Sequence, residues 1–220
     1  MVEHTRIGIV DMGSNAIRFL IADVTASHHD ILASHRLAVR LGHEVFQSGE
    51  VSAVAMAATV EAFCQFRSRC ENDHVTQRRA IATSAMRDAS NRDEVIDRVF
   101  RASGFAIEVI TGEQEANLLK IGIETQIDLS QGTSLLADVG GGSVEVTVVH
   151  HGIVQSACSY PLGAVRLLQS LQEPNPNSHA TLLQQQIERF DARIDEQLQG
   201  RAIDRYAAVG GNIDNLTQLV

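Results

Sequence analysis

Arg6-Ile7-Gly8-Ile9-Val10-Asp11-Met12-Gly13-Ser14-Asn15 and Ser134-Leu135-Leu136-Ala137-Asp138-Val139-Gly140-Gly141-Gly142-Ser143 are two renderings of one pattern. Each is an apolar strand with an Asp near its end, followed by a glycine turn. The two Asp residues stand 127 positions apart, so each copy opens its own lobe. The echo continues downstream. Ile17–Val24 and Val144–Val149 read as second strands, His28-His29-Asp30 and His150-His151-Gly152 as turns, and Ile31–Val39 and Ile153–Ser159 as third strands. A strand–glycine turn–strand unit used twice predicts two similar lobes with their glycine loops across one cleft. Loops of this kind offer backbone N–H groups to phosphate.

Between and after the meanders, helical and strand patterns alternate. Val51–Cys70 has helical periodicity, with Val51, Val54, Ala55, Ala58, Ala62 and Phe66 on one face. Arg79–Thr83 is a short strand. Ser90 and Asp93 resemble a capping box ahead of a helix over Arg92–Ala102, which Gly104 closes. A strand over Phe105–Thr111 follows, and Gly112 releases a helix over Glu113–Glu124. The polar stretch Gln126–Gly132 reads as the connection between lobes, which places them at 1–125 and 126–220. Glu173–Asn177 is a loop, and His179–Leu198 is an amphipathic helix with Leu183, Ile187, Phe190, Ile194 and Leu198 on one stripe. Gly200 stops that helix. Tyr206–Val209 is a strand, and Gly210-Gly211-Asn212 turns into a final helix. The order predicts an α/β lobe of mixed sheet, used twice. That is the pattern of the actin-like ATPase and sugar-kinase superfamily, with its ribonuclease H-like fold.

Composition narrows the chemistry. The 220 residues are 44% hydrophobic and 20% charged, which is ordinary for a globular chain. No apolar run reaches membrane-spanning length, and the first residues lead directly into a strand, so a cytoplasmic protein is expected. Cys64, Cys70 and Cys158 show neither a CxxC pair nor zinc-ligand spacing and read as buried thiols. A net charge of −9 argues against a binder of nucleic-acid polymers, which needs a basic footprint. A phosphorylated substrate is compatible with it, provided a divalent cation and a few arginines neutralise the site. Lys120 is the only lysine, so a Walker-type phosphate loop is absent.

Five segments carry candidate chemistry. In Asp11–Asn15, Gly13 lets an anion approach the backbone, and Ser14 and Asn15 add donors; a plain hairpin with a polar lip is the competing reading. In Asp138–Glu145, three consecutive glycines bury nothing and lose much backbone entropy, which suits a polyphosphate better than a structural hairpin. Asp138 and Glu145 are hard oxygen ligands for Mg²⁺. Thr83-Ser84-Ala85-Met86-Arg87 follows a strand, and Arg87 offers a forked, permanent charge to phosphate; a surface turn is the alternative. Thr111-Gly112-Glu113-Gln114-Glu115-Ala116 opens a helix. A carboxylate there suits a general base, although acids in a first turn commonly serve the macrodipole. Gly210-Gly211-Asn212 precedes a helix N-terminus, another anion-friendly position or an ordinary turn. The histidine pairs lie in turns without metal spacing.

Taken together, these segments resemble the exopolyphosphatase/guanosine pentaphosphate phosphohydrolase (Ppx/GppA) family. The resemblance rests on Val10–Asn15, Thr83–Arg87 with Ala89–Arg92, Ile110–Ala116, Ala137–Glu145, Leu162–Arg166 and Val209–Gly211, in family order and over nearly all of the chain. It implies hydrolysis of a terminal phosphoryl group from inorganic polyphosphate, or of the 5′ γ-phosphate from pppGpp. By motif it makes Glu115 the catalytic base. Asp138, Glu145 and Asp11 become ligands of Mg²⁺ (or Mn²⁺). Gly13, Ser14, Asn15, Arg87, Gly141, Gly142 and Ser143 become phosphate contacts. Four carboxylates and a polyanion would in any case share one cleft only with a divalent metal. Val144 and Asn212 stand where the family often has hydroxyl residues, which predicts altered affinity rather than lost chemistry.

The family's two-lobe module is longer than this chain, so an incomplete second lobe is expected. Its half-covered sheet would expose apolar surface and favour a homodimer. Two other readings fit the same residues. One is an actin-like kinase with a small acceptor, and the other is a protein that binds ppGpp or polyphosphate without turnover.

Overall fold

A computed structural model describes residues 4–171, 176–211 and 213. The chain forms two compact units that divide between Ile110 and Thr111. The first contains β1 (Thr5–Met12), β2 (Ile17–Val24), β3 (His29–Leu37), α1 (Leu41–Ser48), α2 (Ala53–Asn72), β4 (Gln77–Ala82), α3 (Ser84–Asp88), α4 (Arg92–Ser103) and β5 (Ile107–Val109). The second contains α5 (Gly112–Glu124), β6 (Thr133–Val139), β7 (Val144–His150), β8 (Ile153–Tyr160), α6 (Ala164–Ser170), α7 (Pro176–Leu198) and β9 (Arg205–Val209).

The first unit is a five-stranded sheet in the order β3-β2-β1-β4-β5, and the second a four-stranded sheet in the order β8-β7-β6-β9. In each, an antiparallel meander is joined on one side by a parallel strand, β4 on β1 and β9 on β6. The repeat read in the sequence is therefore a repeat of topology. It extends to single hydrogen bonds: Gly13 N–H donates to Ala16 O at 3.1 Å, and Gly140 N–H to Ser143 O at 3.0 Å. Both pairs keep the 127-residue offset.

In the first unit β1 and β2 carry Val10, Met12, Ile17, Phe19 and Ile21 into a core closed by Phe63 and Phe66 of α2 and by Phe105. Phe19 stacks on Phe66 with centroids 4.7 Å apart. Helix α2 is capped by Ser52, whose Oγ accepts from Ala55 N–H at 3.1 Å. Its buried face is Ala55, Met56, Thr59, Ala62, Phe63, Phe66 and Cys70, rotated from the expected one. Val54 is 79% exposed, because Phe63 and Phe66 set the stripe with their larger area. The expected capping box at Ser90 and Asp93 does not form. Ser90 Oγ donates to Gly49 O, and Asn91 holds both the N–H and the C=O of Val51. Gly104 does end α4, in the left-handed conformation (φ 71°).

In the second unit the period of two separates the faces. Leu136 and Val149 pack with Leu119 and Ile123 of α5. Leu135, Val144, Val146 and Val148 face the other way, towards Phe190, Ile194 and Leu198 of α7. Ile187, expected on the buried stripe of α7, is 58% exposed. The boundary expected at 125/126 falls earlier because α5 packs on β6, β7 and β8. Of the expected 173–177 loop, residues 173–175 lie outside the described residues, and Pro176 already begins α7. Asn212 also lies outside them. Among the described residues no helix is long and apolar enough to cross a membrane.

Candidate active site

The polar ends of the sheets hold the candidate residues. In the second unit Asp138 on β6 is the register partner of Glu145 on β7, and Glu145 that of Ser159 on β8. Residues directly opposite in an antiparallel pair project to one face, with Cβ atoms about 5 Å apart. Asp138, Glu145 and Ser159 thus form a single row across three strands. Glu145 is 1% exposed, and its Oε1 accepts from Ser159 Oγ at 2.8 Å. The row ends at α5. A Cβ added to Gly112 would run into Ser159 Cβ far inside contact distance, so the helix begins where only glycine permits.

Helix α5 starts firmly. Thr111 Oγ1 accepts from Gln114 N–H at 3.1 Å, and Gln114 Oε1 accepts from Thr111 N–H at 2.8 Å, a complete capping box. Glu115 is the next residue, half-buried, three positions beyond Gly112 and on the same side of the helix. Glu115 therefore belongs to the same unit as Asp138 and Glu145.

The Gly140–Ser143 turn joins β6 to β7 beside that row. Its carbonyl groups are held by the start of α6: Gly140 O accepts from Ala164 N–H, and Gly141 O from Val165 and Arg166 N–H. Gly142 O accepts from Arg166 Nε at 2.8 Å. Among the described residues no protein acceptor takes the Gly141 or Gly142 N–H. With its carbonyls anchored, the turn has N–H groups to offer an anion. Gly163 is what lets α6 come so close, since a Cβ there would overlap the backbone of Gly141 and Gly142. On the other side Gly210, with φ 113°, lies against β6, and a Cβ there would meet Asp138 Oδ1 at 2.9 Å.

The first unit repeats the device with a different charge. Gly42 N–H donates to Ser14 O at 2.7 Å and Arg40 N–H to Asn15 O at 3.0 Å, so α1 anchors this turn as α6 anchors the other. Ser14 is buried and Asn15 exposed. Asp11, the equivalent of Asp138, faces Arg18 across β1–β2 and pairs with it at 3.3 Å. Arg18 thus occupies the position that Glu145 holds in the second unit. Partial desolvation raises the Asp11 carboxyl above its ordinary value, and Arg18 offsets this in part. Arg87, on α3, donates from Nη1 to Ile110 O at 3.1 Å, at the last residue of the unit.

The second unit thus brings together Glu115, Asp138, Glu145, Gly141, Gly142 and Ser143, and the first Asp11, Gly13, Ser14, Asn15 and Arg87. Among the described residues no group of three or more His, Cys, Asp or Glu side chains gathers to hold a metal. The donor set still suits Mg²⁺, which binds through one or two carboxylates together with water and substrate phosphate. Asp138 and Glu145, register partners on one face, are the two that could hold it. Asp11 already has a cationic partner. Sequence reasoning missed Ser159, Arg18, Gly163 and the anchoring role of α1 and α6. For Arg18 the signal was there, in the comparison of position 18 with position 145 across the repeat.

Comparison with known proteins matches the family model described as the Ppx/GppA phosphatase family to residues 20–213. The chain is 35% identical over 182 residues to exopolyphosphatase 2 of Mycobacterium tuberculosis, covering 78% of this chain and 56% of the relative. It is 30% identical over 172 residues to exopolyphosphatase 1 of the same organism, covering 78% and 50%. The chain thus spans about half the length of the curated relatives it matches. Among solved structures, an exopolyphosphatase from Cytophaga hutchinsonii superposes with a TM-score of 0.89 at 26% identity, over 98% of this chain and 70% of that one. The Aquifex aeolicus Ppx/GppA member superposes with a TM-score of 0.76 at 26% identity, over 99% and 70%. The expected actin-like α/β fold is the fold of these structures.

Proposed function

The chain belongs to the Ppx/GppA phosphatase family, and on that premise we propose that it hydrolyses the terminal phosphoanhydride bond of inorganic polyphosphate. One observation supports this above the others. At equivalent places in the repeat the first unit sets Asp11 against Arg18, while the second sets Asp138 against Glu145. Like charges directly opposite on a sheet are destabilising. Such a pair beside an anion-receptive turn fits a site completed by a cation and a phosphate.

In this reading Glu115 orients a water and accepts its proton as the water oxygen bonds to the terminal phosphorus. The bridging P–O bond breaks, and the shortened chain leaves as a phosphate oxyanion. The Gly141 and Gly142 N–H groups and Ser143 receive the phosphoryl oxygens, which they can do without reorganisation because α6 already fixes the turn. Gly13, Ser14, Asn15 and Arg87 are further phosphate contacts. Asp138 and Glu145 would hold Mg²⁺ (or Mn²⁺), with Asp11 as a third candidate. When bound, that ion lowers the charge on the phosphoryl oxygens and so favours attack.

The test is phosphate release by this 220-residue chain from long-chain polyphosphate, with pppGpp as the comparison substrate, in Mg²⁺ and in EDTA. Release from polyphosphate that EDTA abolishes and Glu115→Gln lowers at least about 100-fold, with binding retained, is the expected result. Tight binding without release, unchanged by the substitution, would make this a binding protein. Release that a hydroxyl acceptor accelerates would make it a kinase.

A further inference from the structure

We propose that Ser159 is a positioning residue of this site, setting both the Glu145 carboxylate and the helical turn that carries Glu115. The proposal rests on the hydrolase reading above. Three observations meet at this one serine. It is the register partner of Glu145. Its hydroxyl donates to Glu145 Oε1 at 2.8 Å. Its Cβ is the atom against which Gly112 is seated.

Each has a mechanical consequence. Glu145 is 1% exposed, so the Ser159 hydroxyl is a fixed donor to a carboxylate that the fold otherwise shields from bulk water. Asp138 shares the row, so the direction of Glu145 sets the separation of the two candidate metal-holding oxygens. On the other side, Gly112 opens α5 and Glu115 lies three residues on, at the same helix face. The height at which α5 meets β8 is therefore the height at which Glu115 stands above the row. Ser159 itself is exposed, on the edge strand of its sheet. Replacing its hydroxyl opens no cavity and threatens the fold little.

The experiment compares Ser159→Ala and Ser159→Thr with the wild-type chain by two readouts. The first is the steady-state kinetics of phosphate release. The second is Mn²⁺ binding without substrate, followed by electron paramagnetic resonance. A hydrogen bond to a charged group implies a loss of about ten-fold or more when removed. Ser159→Ala is expected to lower kcat by about that factor with KM changed less than about two-fold, and to weaken Mn²⁺ binding by a comparable factor. Ser159→Thr, which keeps the hydroxyl, is expected to restore most of the Mn²⁺ affinity. Unchanged Mn²⁺ affinity in Ser159→Ala overturns the proposal whatever the activity. So does a loss in KM alone. If the wild-type chain releases no phosphate, the hydrolase reading fails on the kinetic arm, and the Mn²⁺ arm still decides the role of Ser159.

Discussion

Position 11 shows what a carboxylate at a strand end costs the fold. Partial desolvation at the strand end holds the Asp11 carboxyl above its ordinary value despite Arg18. The folded state therefore binds this proton more tightly than the unfolded chain, and stability falls as pH rises through the window above about 3.9. Asp11→Asn is expected to raise the urea midpoint at neutral pH, with the gain vanishing below about pH 4. An unchanged or lower midpoint at pH 7 would show that the Arg18 pairing outweighs the desolvation. Asp23 behaves in the opposite sense. Its bonds from Arg6 Nε and Nη2, both 2.7 Å, hold its carboxyl below the usual range. Its contribution is present above the unfolded value and is lost as pH falls through the folded one. Asp23→Asn should thus lower the midpoint at pH 7 and converge on wild type in acid; a gap that persists in acid would assign its effect to packing instead. Asp11 and Asp138 were legible as candidates because each stands near the end of a strand before glycine. Ser159 was not, since a serine alternating along an edge strand looks like any solvated position until the register places it beside Glu145.

Elements divide into those that build the sheets and those that hold the turns, and only the first kind was legible. Both meanders and β9 followed from strand periodicity and were located to within a few residues. Helices α1 and α6, of eight and seven residues, are too short to declare a period, and their work is to take up the carbonyls of the two glycine turns. The α2 stripe was displaced because the sequence pattern weighs Val54 and Phe63 alike, whereas packing does not. Glycines separate the two kinds of work experimentally. Gly163→Ala puts a Cβ into the backbone of Gly141 and Gly142, so the turn must shift. We expect a loss of about 1–3 kcal/mol and of most activity. Gly122, in α5, has nothing within 4 Å of an added Cβ, and Gly122→Ala should stabilise by about 0.5–1 kcal/mol with activity unchanged. Equal effects in thermal denaturation would mean that α6 does not constrain the turn.

For the whole molecule the two-unit organisation was legible from the repeat, but the point of division was not. Helix α5 joins two apolar sheets in sequence, and its Leu119 and Ile123 could have closed either; packing on Leu136 and Val149 decides for the second unit. That assignment places Glu115 and the Asp138–Glu145 pair on one body. It also fixes how charge acts at two distances. The chain carries a net −9 and acts, in the proposed reading, on a polyanion. At 0.01 M salt, where the Debye length is about 30 Å, an approaching polyphosphate feels the net charge well before it reaches the glycine turns. Basic proteins that bind polyanions release counterions and lose affinity steeply with salt. Here the contacts proposed are mostly N–H groups and hydroxyls, with Arg87 as the cation, so little counterion release is available. At fixed free Mg²⁺, kcat/KM for a short polyphosphate should therefore rise, by about three-fold or more, as ionic strength goes from about 0.01 to 0.15 M and long-range repulsion is screened. A steep fall instead would mean that a local cationic track dominates the approach. Arg18, opposite Asp11 at the end of β1, would be the first residue to replace in searching for it.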